Sequence, residues 1–127
     1  MPDRKSFDYA VIRIVPNVER QEFINVGVIL FARTLDFLDA KIDMSSVERL
    51  SVFPGKKNFE LIRKQLKHYL AVCHGDDHVD YFSKISKSER FNWLVAPSST
   101  IIQTSPVHTG ISNDPVKSLE ELFDIFV

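Results

Sequence analysis

Two apolar segments with two-residue alternation, held close together by a short connection, constrain this chain most. Residues 7–15 (FDYAVIRIV) are rich in β-branched and aromatic side chains and stop at Pro16. Such a run reads as a strand. Residues 22–31 (EFINVGVILF) read as a second strand, with Ile24, Val26, Val28 and Leu30 making one wholly apolar face. Ala10, Ile12 and Ile14 form the matching face of the first. Only Pro16 to Gln21 lies between them, so an antiparallel hairpin is expected. Placing both even faces in the core sets the register, with Arg13 opposite Asn25 and Val11 opposite Gly27. Both strands are apolar on both sides, as central strands covered on two faces are.

The remaining elements follow from periodicity and punctuation. Leu35 to Ile42 reads as a third strand after an Arg33-Thr34 turn. Ser45 with Glu48 has capping-box spacing and opens a short helix that ends before Pro54-Gly55. Phe59, Ile62, Leu66, Tyr69, Leu70 and Cys73 fall at helical spacing, which predicts a helix over 58–73 with Gly75 as its C-terminal cap. A loop follows over 74–87, with a short strand at 79–82. Residues 91–95 and 100–104 read as two further strands. Asp114-Pro115 starts a last amphipathic helix carrying Val116, Leu119, Leu122, Phe123 and Phe126. The order is βββααββα. It predicts an α+β fold, a mostly antiparallel sheet of about five strands with three helices packed on it.

Length and charge narrow the class. The 127 residues suit a single domain spanning 1–127. The net charge of −1 does not advertise nucleic acid or an anionic membrane as the main partner. One cysteine, Cys73, excludes an internal disulfide framework and suits a reducing cytoplasm. Residues 1–5 precede no apolar run, so no signal peptide is expected, and the longest apolar run, 23–32, is too short to span a bilayer.

Against 26% charged residues overall, the stretch 91–113 (FNWLVAPSSTIIQTSPVHTGISN) has no Asp, Glu, Lys or Arg. Uncharged polar groups can be held near a buried site when each finds a hydrogen bond. This stretch is therefore expected to supply a site or a partner surface. Within it, Gln103, Ser105 and His108 form a candidate rim of donors and acceptors. The bland reading is a turn whose hydroxyls bond their own backbone around Pro106 and Gly110. Ser105, His108 and Asp114 invite comparison with a hydrolytic triad, but triads are defined by geometry and no G-x-S-x-G elbow is present.

A second candidate surface is Arg13, Asn25 and Gly27. An Arg in an apolar strand must be paired, snorkelling or functional, and Gly in a strand marks close approach of another group. The bland reading pairs Arg13 with Glu22 or Asp8. Arg90 reads either as a second cation near the site or as a solvated strand end, and Trp93 as core. Cys73, His74, Asp76, Asp77, His78 and Asp80 crowd together, but the spacing lacks a paired CxxC or His motif, so no metal is expected. No cofactor is expected. Lys56, Lys57, Arg63, Lys64 and Lys67 give the long helix a basic exposed side, more commonly a solvated face than a nucleic-acid surface.

Four blocks, 9–13 (YAVIR), 22–28 (EFINVGV), 91–94 (FNWL) and 103–110 (QTSPVHTG), resemble in that order the bacterial family catalogued as domain of unknown function 3037. The resemblance spans nearly the whole chain. It implies no activity and no catalytic residue. It does imply a partner or regulator role, because such proteins are often encoded beside a kinase resembling HipA. Members tend to carry a basic residue after the proline matching Pro97; here it is Ser98, which weakens an anion site built on that charge.

Three functions are thus expected to compete. The first is a cytoplasmic, non-enzymatic binding or regulatory module acting on a protein partner. The second is a small phosphate- or nucleotide-directed enzyme, with Arg13 and Arg90 on the anion, Glu22 or His108 as base, and Asn25 or Gln103 orienting substrate. The third is nucleic-acid binding through the basic helix.

Overall fold

A computed structural model describes residues 5–76, 81–97 and 100–127. Strand β1 (Lys5–Asn17) and strand β2 (Glu22–Ala32) form the predicted antiparallel hairpin, and β3 (Phe37–Ile42) adds to the far side of β2. A 3-10 helix (Met44–Val52) leads to helix α1 (Phe59–His74), then α2 (Lys87–Val95). Strands β4 (Ile102–Thr104) and β5 (His108–Ser112) pair in turn with the two halves of β1, and helix α3 (Pro115–Phe126) closes the chain. The sheet is wholly antiparallel, ordered β3-β2-β1-β4 with β5 also on β1, and the fold is α+β.

Helices cover both faces of the sheet. The 3-10 helix, α1 and α2 pack on Ala10, Ile12, Ile14, Val26 and Ile29, forming the larger core with Ile62, Leu66, Val72 and Leu94. Helix α3 packs on the other face through Leu119, Leu122, Phe123 and Phe126, against Phe7, Val28, Leu30 and Ala32. The apolar residues on both sides of β1 and β2 thus have distinct layers to fill.

The expected register needs one correction. Arg13 does pair with Asn25, but Ile12 pairs with Gly27 and Val11 with Val28. Val26 is an extra residue on β2, a β-bulge. The bulge flips the alternation, so Val26 and Ile29 share the larger core while Val28 and Leu30 face α3. Its exposed carbonyls are both taken up. Asp43 N–H donates to Val26 O at 2.8 Å, and Arg49 donates to Asn25 O at 2.7 Å. Asp43, and not Ser45, is the N-cap of the 3-10 helix, accepting from Ser45 N–H.

Residues 91–95 are helical, not a strand. Ser86 caps α2 and accepts from Glu89 N–H at 3.1 Å, while Ser86 Oγ donates to Glu89 Oε1 at 3.2 Å. This is a reciprocal pairing at capping-box spacing. The helix buries Phe91 and Leu94, three apart, and turns Trp93 out of the core to 56% exposure. Gly75 ends α1 in the left-handed region at φ 67°, as expected. Of the short strand expected at 79–82, residues 79–80 lie outside the described residues and 81–82 start a 3-10 turn. The crowded Asp77, His78 and Asp80 also lie outside them.

Candidate functional site

The two central candidates, Arg13 and Asn25, are cross-strand neighbours, and Gln103 on β4 is paired to Arg13 from the other side. Direct cross-strand partners point to the same face. Asn25, Arg13 and Gln103 therefore make one row across three strands on the α3 side. Asn25 Nδ2 donates to Phe126 O at 3.2 Å, which ties the row to the end of α3. Arg13 lies over the Phe23 ring at 4.1 Å. Its buried Nε–H and the buried Oδ1 of Asn25 have no hydrogen-bond partner. Gln103 Nε2 donates to Thr100 O at 2.8 Å.

His108 is on the same face, paired with Tyr9, its ring 5.6 Å from the Tyr9 ring. Tyr9 in turn meets Phe126 at 6.3 Å. Tyr9 and Arg13 are four residues apart on one strand, about 13 Å along it. The guanidinium and the imidazole thus share a sheet face without sharing a small-molecule cleft.

Ser105 is structural. Its buried hydroxyl accepts from Val11 N–H at 2.9 Å and donates to Pro106 O at 3.0 Å, and its own N–H donates to Val11 O at 2.8 Å. The side chain thus stands in for a backbone carbonyl where β4 gives way to β5. With Ser105 so engaged, and Asp114 accepting from Lys117 N–H as the α3 N-cap, no Ser-His-Asp triad forms.

Glu22 and Arg90 lie elsewhere. Glu22 pairs with Arg20 at 2.6 Å, and it alternates with Phe23, so it faces away from Arg13. Arg90 is 8% exposed on α2, in the opposite helical layer. Its guanidinium lies on the Gly75 backbone, where a Cβ would stand 3.0 Å from Cζ, and it donates to Ile85 O at 2.8 Å. Burial pushes the Cys73 thiol up to about 12, with the Asp39 charge adding to the rise and the Arg90 charge opposing it. Arg13 and Arg90 are separated by the sheet, so they do not hold one anion. Gly27 serves packing: a Cβ there would meet Lys41 O at 2.5 Å and Ile42 Cγ1 at 2.9 Å, on β3 and not on Val11.

The basic side of α1 is partly committed as well. Lys57 Nζ donates to the carbonyls of Phe53, Pro54 and Gly55, and Arg63 pairs with Glu48 at 3.5 Å. Among the described residues no group of His, Cys, Asp and Glu could hold a metal ion, and no helix is long and apolar enough to cross a membrane.

A cleft lies on the other side of the sheet, between α1, α2 and β4. It measures about 540 Å³. Gln65, His68 and Tyr69 line it from α1, and Trp93, Leu94, Ala96, Pro97, Thr100 and Ile102 from the uncharged stretch. Among the described residues that line the groove there is no Asp, Glu, Lys or Arg. The Trp93 indole stands beside Phe82 at 4.7 Å, and Phe82 beside Tyr81 at 5.4 Å, extending the apolar wall. His68 and Tyr69 stand one helical turn after Gln65 on α1. That spacing was visible in the chain, but nothing marked their face as lining a cleft.

Architecture and groove together define a small α+β protein with helices on both sides of an antiparallel sheet and a cleft whose described lining is uncharged. The chain matches the family described as Protein of unknown function (DUF3037) over residues 9–127, and it belongs to that family. No curated protein and no solved structure matches it.

Proposed function

We propose that the chain is a protein-binding module without catalytic chemistry of its own, and that the groove between α1, α2 and β4 receives an apolar segment of a partner protein. The observation that carries this is the groove: about 540 Å³, apolar walls, and, among the described residues, only uncharged side chains and one imidazole for polar contacts. Such a lining rewards burial of apolar surface at roughly 25 cal/mol per Å² and offers little to a phosphate. An exposed indole at the mouth is the residue type that anchors interfaces. The single cysteine, buried and free, suits a reducing compartment, and on that ground we place the module in the cytoplasm. A kinase resembling HipA, implied by the sequence resemblance, is the first partner to test.

Trp93 is the only tryptophan, so its emission reports the groove directly. Titration with the kinase should shift that emission to the blue as the indole is desolvated. His68→Glu, which puts a charge into the lining, should weaken binding by about tenfold or more, since an unpaired charge is costly to bury. Binding of equal strength in His68→Glu and Ile102→Asp, or a kinase complex that leaves the emission unmoved, refutes the groove as the docking site.

A further inference from the structure

Arg13 belongs to a separate cleft of about 360 Å³ on the α3 side of the sheet, lined also by Val15, Gln21, Phe23, Gln103 and Thr104. Its guanidinium is stacked on Phe23 at 4.1 Å. Stacking occupies the face of the guanidinium and leaves its in-plane N–H groups uncommitted. Its Nε–H is buried without a partner, and no carboxylate among the described residues pairs with Arg13. The nearest acid in sequence on β2, Glu22, is paired to Arg20 instead. Phe23 is itself held out at 43% exposure, so it contributes to this stack and little to the core. Gln21 adopts φ 56°, the left-handed region that non-glycine residues seldom occupy, and its side chain lines the cleft. Gln103, directly opposite Arg13, adds an amide.

We propose that this cleft binds a carboxylate. A lone guanidinium with a free fork matches a carboxylate in charge and in bidentate geometry. A phosphate dianion asks for more positive charge than the site has. Arg90 is in the other helical layer, and the α3 end that reaches this row is its C-terminus, whose dipole is negative. The carboxylate can come from a small free acid or from an acidic side chain of a protein, and affinity separates the two sources.

The test follows the Arg13 Nε–Hε resonance of ¹⁵N-labelled protein at constant ionic strength. Sodium acetate and a capped peptide with a single Glu are each expected to shift it saturably, with millimolar or tighter affinity. Arg13→Gln should abolish the response while the backbone spectrum stays dispersed. A peptide about tenfold tighter than acetate assigns the site to a protein side chain, and equal affinities assign it to a small acid. Shifts that grow linearly and match those caused by chloride overturn the proposal, as does tighter binding of inorganic phosphate than of acetate. Gln103→Glu gives an independent reading, because it places a carboxylate opposite Arg13. Loss of the acetate response with a raised Tm is expected; a lowered Tm with acetate binding retained overturns the assignment. Neither result depends on the groove across the sheet.

Discussion

Gly27 shows how a single position can close off a family of side chains. Its missing Cβ is what lets β3 approach, since an added methyl would stand 2.5 Å from Lys41 O and 2.9 Å from Ile42 Cγ1. The obstructing oxygen is backbone in a paired strand, so it cannot swing aside. Gly27→Val should therefore cost about 1–3 kcal/mol or more from overpacking, read as a lower urea midpoint. A midpoint equal to wild type would show that β3 can give way at Lys41. Ser105 tests a different physics. Ser105→Ala removes the acceptor of the buried Val11 N–H, and an orphaned donor costs about 1–3 kcal/mol. Amide exchange at Val11 should speed up with it; unchanged protection there would mean that another acceptor replaces the hydroxyl.

At the scale of elements, what could be read from the chain was whatever rested on long periodic runs. The β1–β2 hairpin, β3, α1 with its Gly75 cap, and α3 with its Asp114 cap all follow from such runs. The Arg13–Asn25 pairing was also legible, because two apolar faces set the parity. The bulge was not, since Val26 looks like any other apolar residue and its role depends on Asp43 reaching the Val26 carbonyl and Arg49 the Asn25 carbonyl. Helix α2 was misread because Phe91, Trp93 and Val95 alternate as a strand does, while the stronger signal lay upstream at Ser86 and Glu89. Strand β5 was hidden in hydroxyls and a glycine that also suit a turn, and only β1 makes it a strand. Part of the uncharged stretch lines a cleft, but the expected rim of Gln103, Ser105 and His108 is not in it, and Gln65 and His68 join it from a helix more than twenty residues away. The capping assignment for α2 carries its own prediction. Ser86→Ala should cost about 1 kcal/mol, the usual loss for an N-cap hydroxyl. Because α2 forms one wall of the groove, Trp93 emission should shift at lower urea in that variant than in wild type.

For the whole molecule, two buried ionisable groups on α1 couple stability to alkaline pH. Cys73 and Tyr69 lie four residues apart in the larger core. Burial raises both, the thiol from 9.0 to about 12 and the phenol upward from 10.0. A raised folded-state value means that the unfolded chain gives up its proton first. Stability is thus fully present below the unfolded values and falls as pH rises past them. The loss should begin near pH 9.0 with Cys73, steepen above 10.0 as Tyr69 joins, and level off for the thiol near 12. Each unit of pH inside the window costs about 1.4 kcal/mol per group. Between the onset and pH 11 the sum is on the order of 3–4 kcal/mol, a large share of the roughly 5–15 kcal/mol that holds a domain of this size. Cys73→Ala separates the two contributions. It lowers stability at neutral pH by leaving a small cavity, but its urea midpoint should stay level until the pH passes the phenol's unfolded value, whereas the wild type begins to fall a unit earlier. If both proteins decline in parallel from pH 9, the thiol is not what the unfolded state deprotonates, and Cys73 contributes to the core by packing alone.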